Sequence, residues 1–273
     1  MRRTKIIAIE GIDGSGKGVQ FHLLAKALAD MGHSVACRDY PMYDTFFGAE
    51  VGKLLAGTGA VPADRVDGKS MALWFALDRW ESFRDYRDGE TDFLVINRFV
   101  LSNAVYQSIR DVDLGKPDIV DWALELEYGH FGLPRPDVNL VFSVVPEVAE
   151  QNVLKKGYRD YVGERRDVYE ASHPIQARAM AKYAELAARF PDVELVPCME
   201  GGELLPVERI AARVLAASLS DVEAIETQVP SLRAVAPVVG SKVTLVAGSQ
   251  NWSSQVNGTS NAYFAAGNWK IAV

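Results

Sequence analysis

Residues 6 to 20 read Ile-Ile-Ala-Ile-Glu-Gly-Ile-Asp-Gly-Ser-Gly-Lys-Gly-Val-Gln. A short apolar run (Ile6, Ile7, Ala8, Ile9) leads into a glycine-rich turn, Gly11 to Gly16, and then Lys17. Leu23, Leu24, Ala27 and Leu28 follow at helical spacing. Strand, glycine loop, lysine and helix together make a phosphate cradle. The glycines let backbone N–H groups close around phosphate oxygens. The helix N-terminus adds the positive end of its dipole, and Lys17 supplies a mobile cation. One position departs from the usual pattern: Gly18 stands where a Ser or Thr hydroxyl would reach magnesium.

Working outward, apolar strand-like runs at 5–10, 34–38, 93–97, 138–144 and 193–197 alternate with helical patterns. The helical stretches lie at 17–31, 47–56, 68–87, 100–110, 117–130, 146–155, 174–189 and 206–218. Such alternation predicts an α/β fold, a parallel sheet with helices on both faces, with ligands beyond the carboxyl ends of the strands. The character changes near Leu219. Residues 221–273 balance three acidic against three basic side chains, so the preceding chain carries the whole formal charge of −7. We read 1–218 as the main domain, 219–240 as a linker with two prolines, and 241–273 as a small β appendage. Within the appendage, 242–247, 251–256, 259–265 and 269–273 are β-prone, and Asn257-Gly258 is a hairpin-turn signal.

The bulk composition narrows the function classes. With 273 residues, 48% hydrophobic and 24% charged, the chain can bury a sizeable core. The acidic balance argues against a general nucleic-acid surface. No apolar run is long enough to span a bilayer, and Met-Arg-Arg-Thr-Lys runs directly into the first strand without a signal-peptide pattern. Cys37 and Cys198 lack metal-type spacing and are expected as reduced, buried thiols. The expectation is a cytoplasmic protein that engages neither nucleic acid nor membrane.

Four later segments carry polar residues that bulk folding does not require. The second strand ends in Arg38-Asp39-Tyr40-Pro41-Met42-Tyr43-Asp44, and helix 68–87 contains Phe75-Ala76-Leu77-Asp78-Arg79-Trp80-Glu81. The third strand ends in Asn97-Arg98-Phe99, followed by Ser102-Asn103-Ala104-Val105-Tyr106-Gln107. Lys155-Lys156-Gly157-Tyr158-Arg159 then leads into Gly163-Glu164-Arg165-Arg166-Asp167-Val168-Tyr169-Glu170. In this order and spacing the set resembles the thymidylate kinases, nucleoside monophosphate kinases of the P-loop class, and most of all the actinobacterial type. The resemblance runs from residue 5 to about 217 and includes Gly132-Leu133-Pro134-Arg135-Pro136-Asp137 and Tyr183-Ala184-Glu185-Leu186-Ala187. It implies the three-layer P-loop kinase fold, ATP with Mg²⁺, dTMP as acceptor in pyrimidine deoxynucleotide biosynthesis, and a homodimer.

Carried over residue by residue, the resemblance implies these roles. Gly11, Asp13, Gly14, Ser15, Gly16, Lys17 and Gly18 would hold ATP, joined by Arg159 and Arg165 from a lid at 155–170. Phe75 would stack on the thymine ring, and Arg79 would donate to its 4-oxo group and Asn103 to the pyrimidine edge near N3. Tyr106 would lie under the deoxyribose, with Gln107 beside it. Asp13 would meet the sugar 3′-hydroxyl or the metal shell, and Arg98, assisted by Tyr43, would clamp the acceptor phosphate. Tyr169 and Glu170 would lie near the acceptor nucleoside, with Glu170 a second metal candidate. Lys17, Arg98, Asn97 and Arg166 would make the catalytic set.

This chain departs from the family pattern at Gly18, at Asn97 in place of an aspartate, at Phe99 in place of a tyrosine and at Met42 in place of an arginine. The alternatives are therefore a kinase for dUMP or a 5-modified dUMP, or a catalytically weakened nucleotide-binding module that uses 241–273 as a partner surface.

Overall fold

Five short segments become the strands of one parallel sheet: β1 (Lys5–Gly11), β2 (Val35–Asp39), β3 (Phe93–Asn97), β4 (Val138–Ser143) and β5 (Val193–Pro197). The computed structural model describes residues 3–58, 61–154, 173–219, 238–247 and 250–259. The strand order is β2-β3-β1-β4-β5, with Ile7 opposite both Val95 and Val138. From β1 the chain crosses to β2 and β3 on one side and then to β4 and β5 on the other, so the crevice beyond the carboxyl end of β1 is the switch point where such sheets bind ligands. β3 is buried throughout, and β1 and β4 nearly so, which requires cover on both faces. Ile7, Ile9, Leu94, Ile96, Leu140 and Phe142 form the centre of the core. Each contributes roughly 1.5–3 kcal/mol by leaving water.

Among the described residues eight α-helices lie between and after these strands: α1 (Lys17–Asp30), α2 (Phe46–Ala56), α3 (Gly68–Phe83), α4 (Val100–Asp113), α5 (Val120–Leu124), α6 (Pro146–Leu154), α7 (His173–Arg189) and α8 (Val207–Leu219). Helix α1 packs on β1, β2 and β3; α4 and α7 pack on β1; α3 packs on α2 and α4. A satellite cluster of Val51, Leu55, Ala63 and Met71 joins α2 to α3. Local chemistry sets the helix starts. The Thr45 hydroxyl accepts from Gly48 N at the head of α2, and the Asp67 carboxylate accepts from Ser70 N at the head of α3. Such caps contribute about 1 kcal/mol each.

Two expected helices are trimmed. The pattern at 68–87 stops at Phe83, where Tyr86 N–H bonds back to Phe83 O and the chain turns toward β3. The pattern at 117–130 begins only at Val120, because the Asp118 carboxylate accepts from Val120 N at 2.8 Å. Its last part, Glu125–His130, is a π-helical turn in which Phe131 N–H reaches Leu126 O at 2.9 Å. That turn places Glu127 wholly in the interior. A small antiparallel pair, β6 (Met199–Glu200) and β7 (Glu203–Leu204), was not foreseen.

The chain divides into two compact units, Met1–Leu215 and Ala216–Val273. Within the second, β8 (Val238–Ala247) pairs antiparallel with β9 (Gln250–Thr259). Asn257-Gly258 is not the turn: it sits inside β9 opposite Gly240 and Val239, and the reversal falls between Ala247 and Gln250. A ten-residue ladder outweighs the local preference of one dipeptide. Residues 238–240, read as linker, belong to β8, and the β-prone stretches beyond 259 lie outside the described residues. Cys198 is buried, and burial pushes its thiol up to about 12. Cys37 is exposed instead, because β2 is an edge strand. Among the described residues no helix is long and apolar enough to cross a membrane.

Asp78 on α3 fastens the loop after β2. It is fully buried and accepts from Met42 N at 3.2 Å and Thr45 Oγ1 at 3.4 Å. Burial pushes its carboxyl up to about 6, against the pull of Arg79 and these hydrogen bonds. Below its ordinary value near 3.8 the group is protonated in folded and unfolded chains alike, and up to about 6 the folded chain alone retains the proton. Its contribution to stability is therefore greatest at low pH and is lost as the pH rises through about 6. In urea titrations, Asp78→Asn should gain about 2 kcal/mol on the wild type between pH 4 and pH 7.5.

Candidate active site

The loop between β1 and α1 has the strained backbone that its glycines permit. Gly14 lies at φ +81°, and a Cβ there would fall 1.9 Å from Ala149 O on α6. Asn152 Nδ2, also on α6, donates to Gly14 O at 3.0 Å. Lys17 is buried, with Nζ donating to Gly11 O at 2.9 Å and Ile12 O at 2.6 Å, which holds the cation over the loop. Gly16, at φ +89°, precedes α1 without a side-chain cap, and the first turn of α1 carries no acidic residue. Its N–H groups and dipole are thus arranged for an anion. Ser15 Oγ is buried without a hydrogen-bond partner. A side chain at Gly18 would have no heavy atom within 4 Å of its Cβ.

Glu10, immediately before the loop, is an anchor of the site that the sequence reading passed over. It is fully buried and accepts from Phe99 N at 2.9 Å, Ser102 N at 3.3 Å and Ser102 Oγ. Burial pushes its carboxyl up, and these hydrogen bonds and Lys17 oppose the shift. Its carboxylate does what no side chain of Phe99 can do: it caps α4 from across the sheet. A lone glutamate closing an apolar strand was the available signal.

The described residues expected to bind substrate converge on one cleft. Asp13, Arg98, Tyr43 and Phe75 line it. So do Arg79, Asn103, Tyr106 and Gln107. Arg98 is the one described non-glycine residue at positive φ, +60°, with its N–H on Ile9 O at 3.0 Å. That conformation sends its guanidinium to the Asp13 carboxylate. Gln176 on α7 completes the corner. Its Nε2 donates to Asp13 Oδ2 at 3.0 Å, and its Oε1 accepts from Asp13 N at 3.1 Å and Tyr106 OH at 2.8 Å. A glutamine at the start of an amphipathic helix gave no sequence signal.

The pair expected to read the base is also tied inside the protein. Arg79 on α3 makes a two-pronged ion pair with Glu127, Nε to Oε2 at 2.5 Å and Nη2 to Oε1 at 2.7 Å. Burial works against the charge on Arg79, and the Glu127 carboxylate outweighs it. Asn103 Nδ2 donates to the same Glu127 Oε1 at 2.8 Å and to Ala72 O at 3.0 Å. Phe75 beside them is half-buried.

Asn97 does not line the cleft. It ends β3 opposite Asp39, the last residue of β2, and its Nδ2 donates to Asp39 Oδ1 at 2.7 Å. Its Oδ1 is buried without a partner. Phe99 is fully buried among Tyr40, Phe83 and Tyr128, which accounts for an apolar ring at this position. Arg159, Arg165, Arg166, Tyr169 and Glu170 lie outside the described residues. Among the described residues no three His, Cys, Asp or Glu side chains gather to hold a metal.

Comparison with known proteins agrees with this geometry. A family model for thymidylate kinase matches residues 9–193. The thymidylate kinase of Mycobacterium tuberculosis is 34% identical over 187 residues, covering 67% of this chain and 86% of the relative. A probable thymidylate kinase of Thermococcus gammatolerans is 29% identical over 196 residues, covering 70% of this chain and 86% of the relative. The solved thymidylate kinase of Candida albicans shares the fold, with a TM-score of 0.56 at 22% identity over 83% of this chain and 92% of that one. The chain belongs to the thymidylate kinase family.

Proposed function

We propose that this protein transfers the γ-phosphoryl group of ATP to the 5′-phosphate of dTMP, giving dTDP and ADP. The observation that carries the reading is one cleft, opening beside the glycine loop, that gathers Arg98 and Asp13 with Phe75, Arg79 and Asn103. The acceptor phosphate is already an anionic nucleophile, so the protein's task is alignment and charge neutralisation. The loop amides and Lys17 bind the donor phosphates. Arg98 exchanges its Asp13 partner for the acceptor phosphate, whose oxygens match its fork. Phe75 stacks on the base, Arg79 and Asn103 read its edge, and Tyr106 and Gln107 flank the sugar. Arg159, Arg165 and Arg166 approach the donor phosphates from the lid and exclude water, with Tyr169 and Glu170 near the nucleoside.

Mg²⁺ would neutralise phosphate charge in this reaction. The cleft fits a hard cation held mainly by phosphates and water: Asp13, which lines it, would supply a carboxylate, with Glu170 as the second proposed ligand. Asp39, 2.7 Å from the Asn97 amide, keeps a negative charge at the same strand ends. Homodimerisation fits the exposed Leu73 and Trp80, seven residues apart on one face of α3. The substrates assign the work to the cytoplasm.

A second reading, a catalytically weakened nucleotide binder, is favoured specifically by Asn97 and Gly18. Coupled ADP release with ATP, Mg²⁺ and an acceptor panel of dTMP, dUMP and dCMP decides between them. Turnover stimulated by dTMP and lowered at least ~100-fold in Lys17→Ala supports the kinase; no stimulation by any pyrimidine monophosphate rejects it. Arg98→Ala should raise KM for dTMP with little change in that for ATP. Asn97→Asp should place two carboxylates against each other. It should therefore unfold more readily in EDTA than the wild type by about 1–3 kcal/mol and recover with Mg²⁺. Gly18→Ser should leave thermal stability unchanged or slightly raised, because nothing crowds the new side chain.

A further inference from the structure

Glu127 has no part in the phosphate chemistry, yet it is among the most deeply buried charged residues of the chain. It reaches the cleft through two residues that line it. Its carboxylate takes Nε and Nη2 of Arg79, so the guanidinium nitrogen outside that pair is Nη1. It also takes Nδ2 of Asn103 at 2.8 Å, while Ala72 O takes the same nitrogen at 3.0 Å. Both of these partners are pure acceptors. Turning the Asn103 amide over would set its carbonyl oxygen against a carboxylate and a carbonyl, an arrangement with no proton between any of them. The amide therefore has one orientation. The group Asn103 retains for a ligand is its carbonyl Oδ1, which is buried and has no hydrogen-bond partner.

We propose that Glu127 is a positioning residue for base selection: it orients Arg79 as a donor and Asn103 as an acceptor, so that the pair reads a pyrimidine with a 4-oxo group and an N3–H. The inference deepens the dTMP kinase reading and rests on it. Thymine and uracil present an acceptor at position 4 and a donor at N3, matching the pair. Cytosine presents a donor at position 4 and an acceptor at N3, so both contacts become like against like. A site with buried polar groups discriminates strongly against a partner that leaves them unpaired. The π-helical turn is the local device that brings a glutamate to this point, since it carries Glu127 inward between α3 and α4. Without the carboxylate the amide keeps only its bond to Ala72 O, so turning it costs one hydrogen bond fewer, and the turned NH₂ suits cytosine N3.

The test compares kcat/KM for dTMP and dCMP in wild type and Glu127→Gln, with thermal unfolding of both. A buried ion pair that served structure alone would lower the melting temperature and depress both substrates equally. The proposal expects the dTMP-to-dCMP ratio to fall at least ~10-fold in Glu127→Gln, mostly through KM for the two acceptors. A folded Glu127→Gln protein with the wild-type ratio overturns it. Because removing one charge of a buried pair can unfold a protein, a second arm uses wild type alone. N3-methyl-dTMP, which lacks the N3 proton, should bind at least ~100-fold more weakly than dTMP by calorimetric titration. Equal binding overturns the assignment of the Asn103 carbonyl whether or not the variant folds. Wild-type protein that binds no pyrimidine monophosphate removes the kinase reading itself.

Discussion

One buried carboxylate joins the two halves of this site. Glu10 closes the central strand, one residue before the glycine loop, and its oxygens accept from Phe99 and Ser102 at the start of α4. The glycine loop follows the strand that carries Glu10, and one wall of the cleft lies on the helix that Glu10 caps. Arg98 lies between them at positive φ, a conformation held by its own N–H on Ile9 O and by the fixed position of the next residue. Asn103, Tyr106 and Gln107 follow on α4. Ser102 Oγ passes the network on to Tyr183 OH on α7 at 3.0 Å, in the same helix as the Gln176 that holds Asp13. Burial penalises a charge at Glu10 and outweighs the four surrounding groups that favour it. A buried carboxylate so fully answered specifies where each element goes.

The fold was legible because its signals are local and periodic. Strand β3 occupies the 93–97 expected for it, and the glycine loop ends the central strand as its composition required. The cleft was legible through residue types that packing does not demand, such as Arg79 and Asn103 in otherwise apolar helices. What escaped the sequence was the layer of partners behind those residues. Glu127 sits in a stretch that reads as ordinary amphipathic helix, and nothing in its spacing reveals a π-helical turn. Gln176 is 163 residues from the Asp13 it binds, and such pairings exist only once the sheet has formed. The Asn-Gly dipeptide misled for the opposite reason: a real local preference was overridden by a long-range ladder.

Two of the departures from the family pattern have a local answer in the fold. Asn97 keeps a polar oxygen at the end of β3 while Asp39 carries the charge one strand over. Phe99 gives up a hydroxyl and gains full burial in an aromatic cluster. Phe75, Arg79 and Asn103, which match the pattern, line the cleft together.

Gly14 and α6 fit so closely that the loop and the helix cannot be repacked independently. There is no room for even a methyl group between Gly14 and Ala149, and Asn152 is fastened to the loop carbonyl. Any substitution that enlarges either side of that contact must therefore be answered by displacement of the other, so the glycine loop and α6 constrain each other's sequence as one unit.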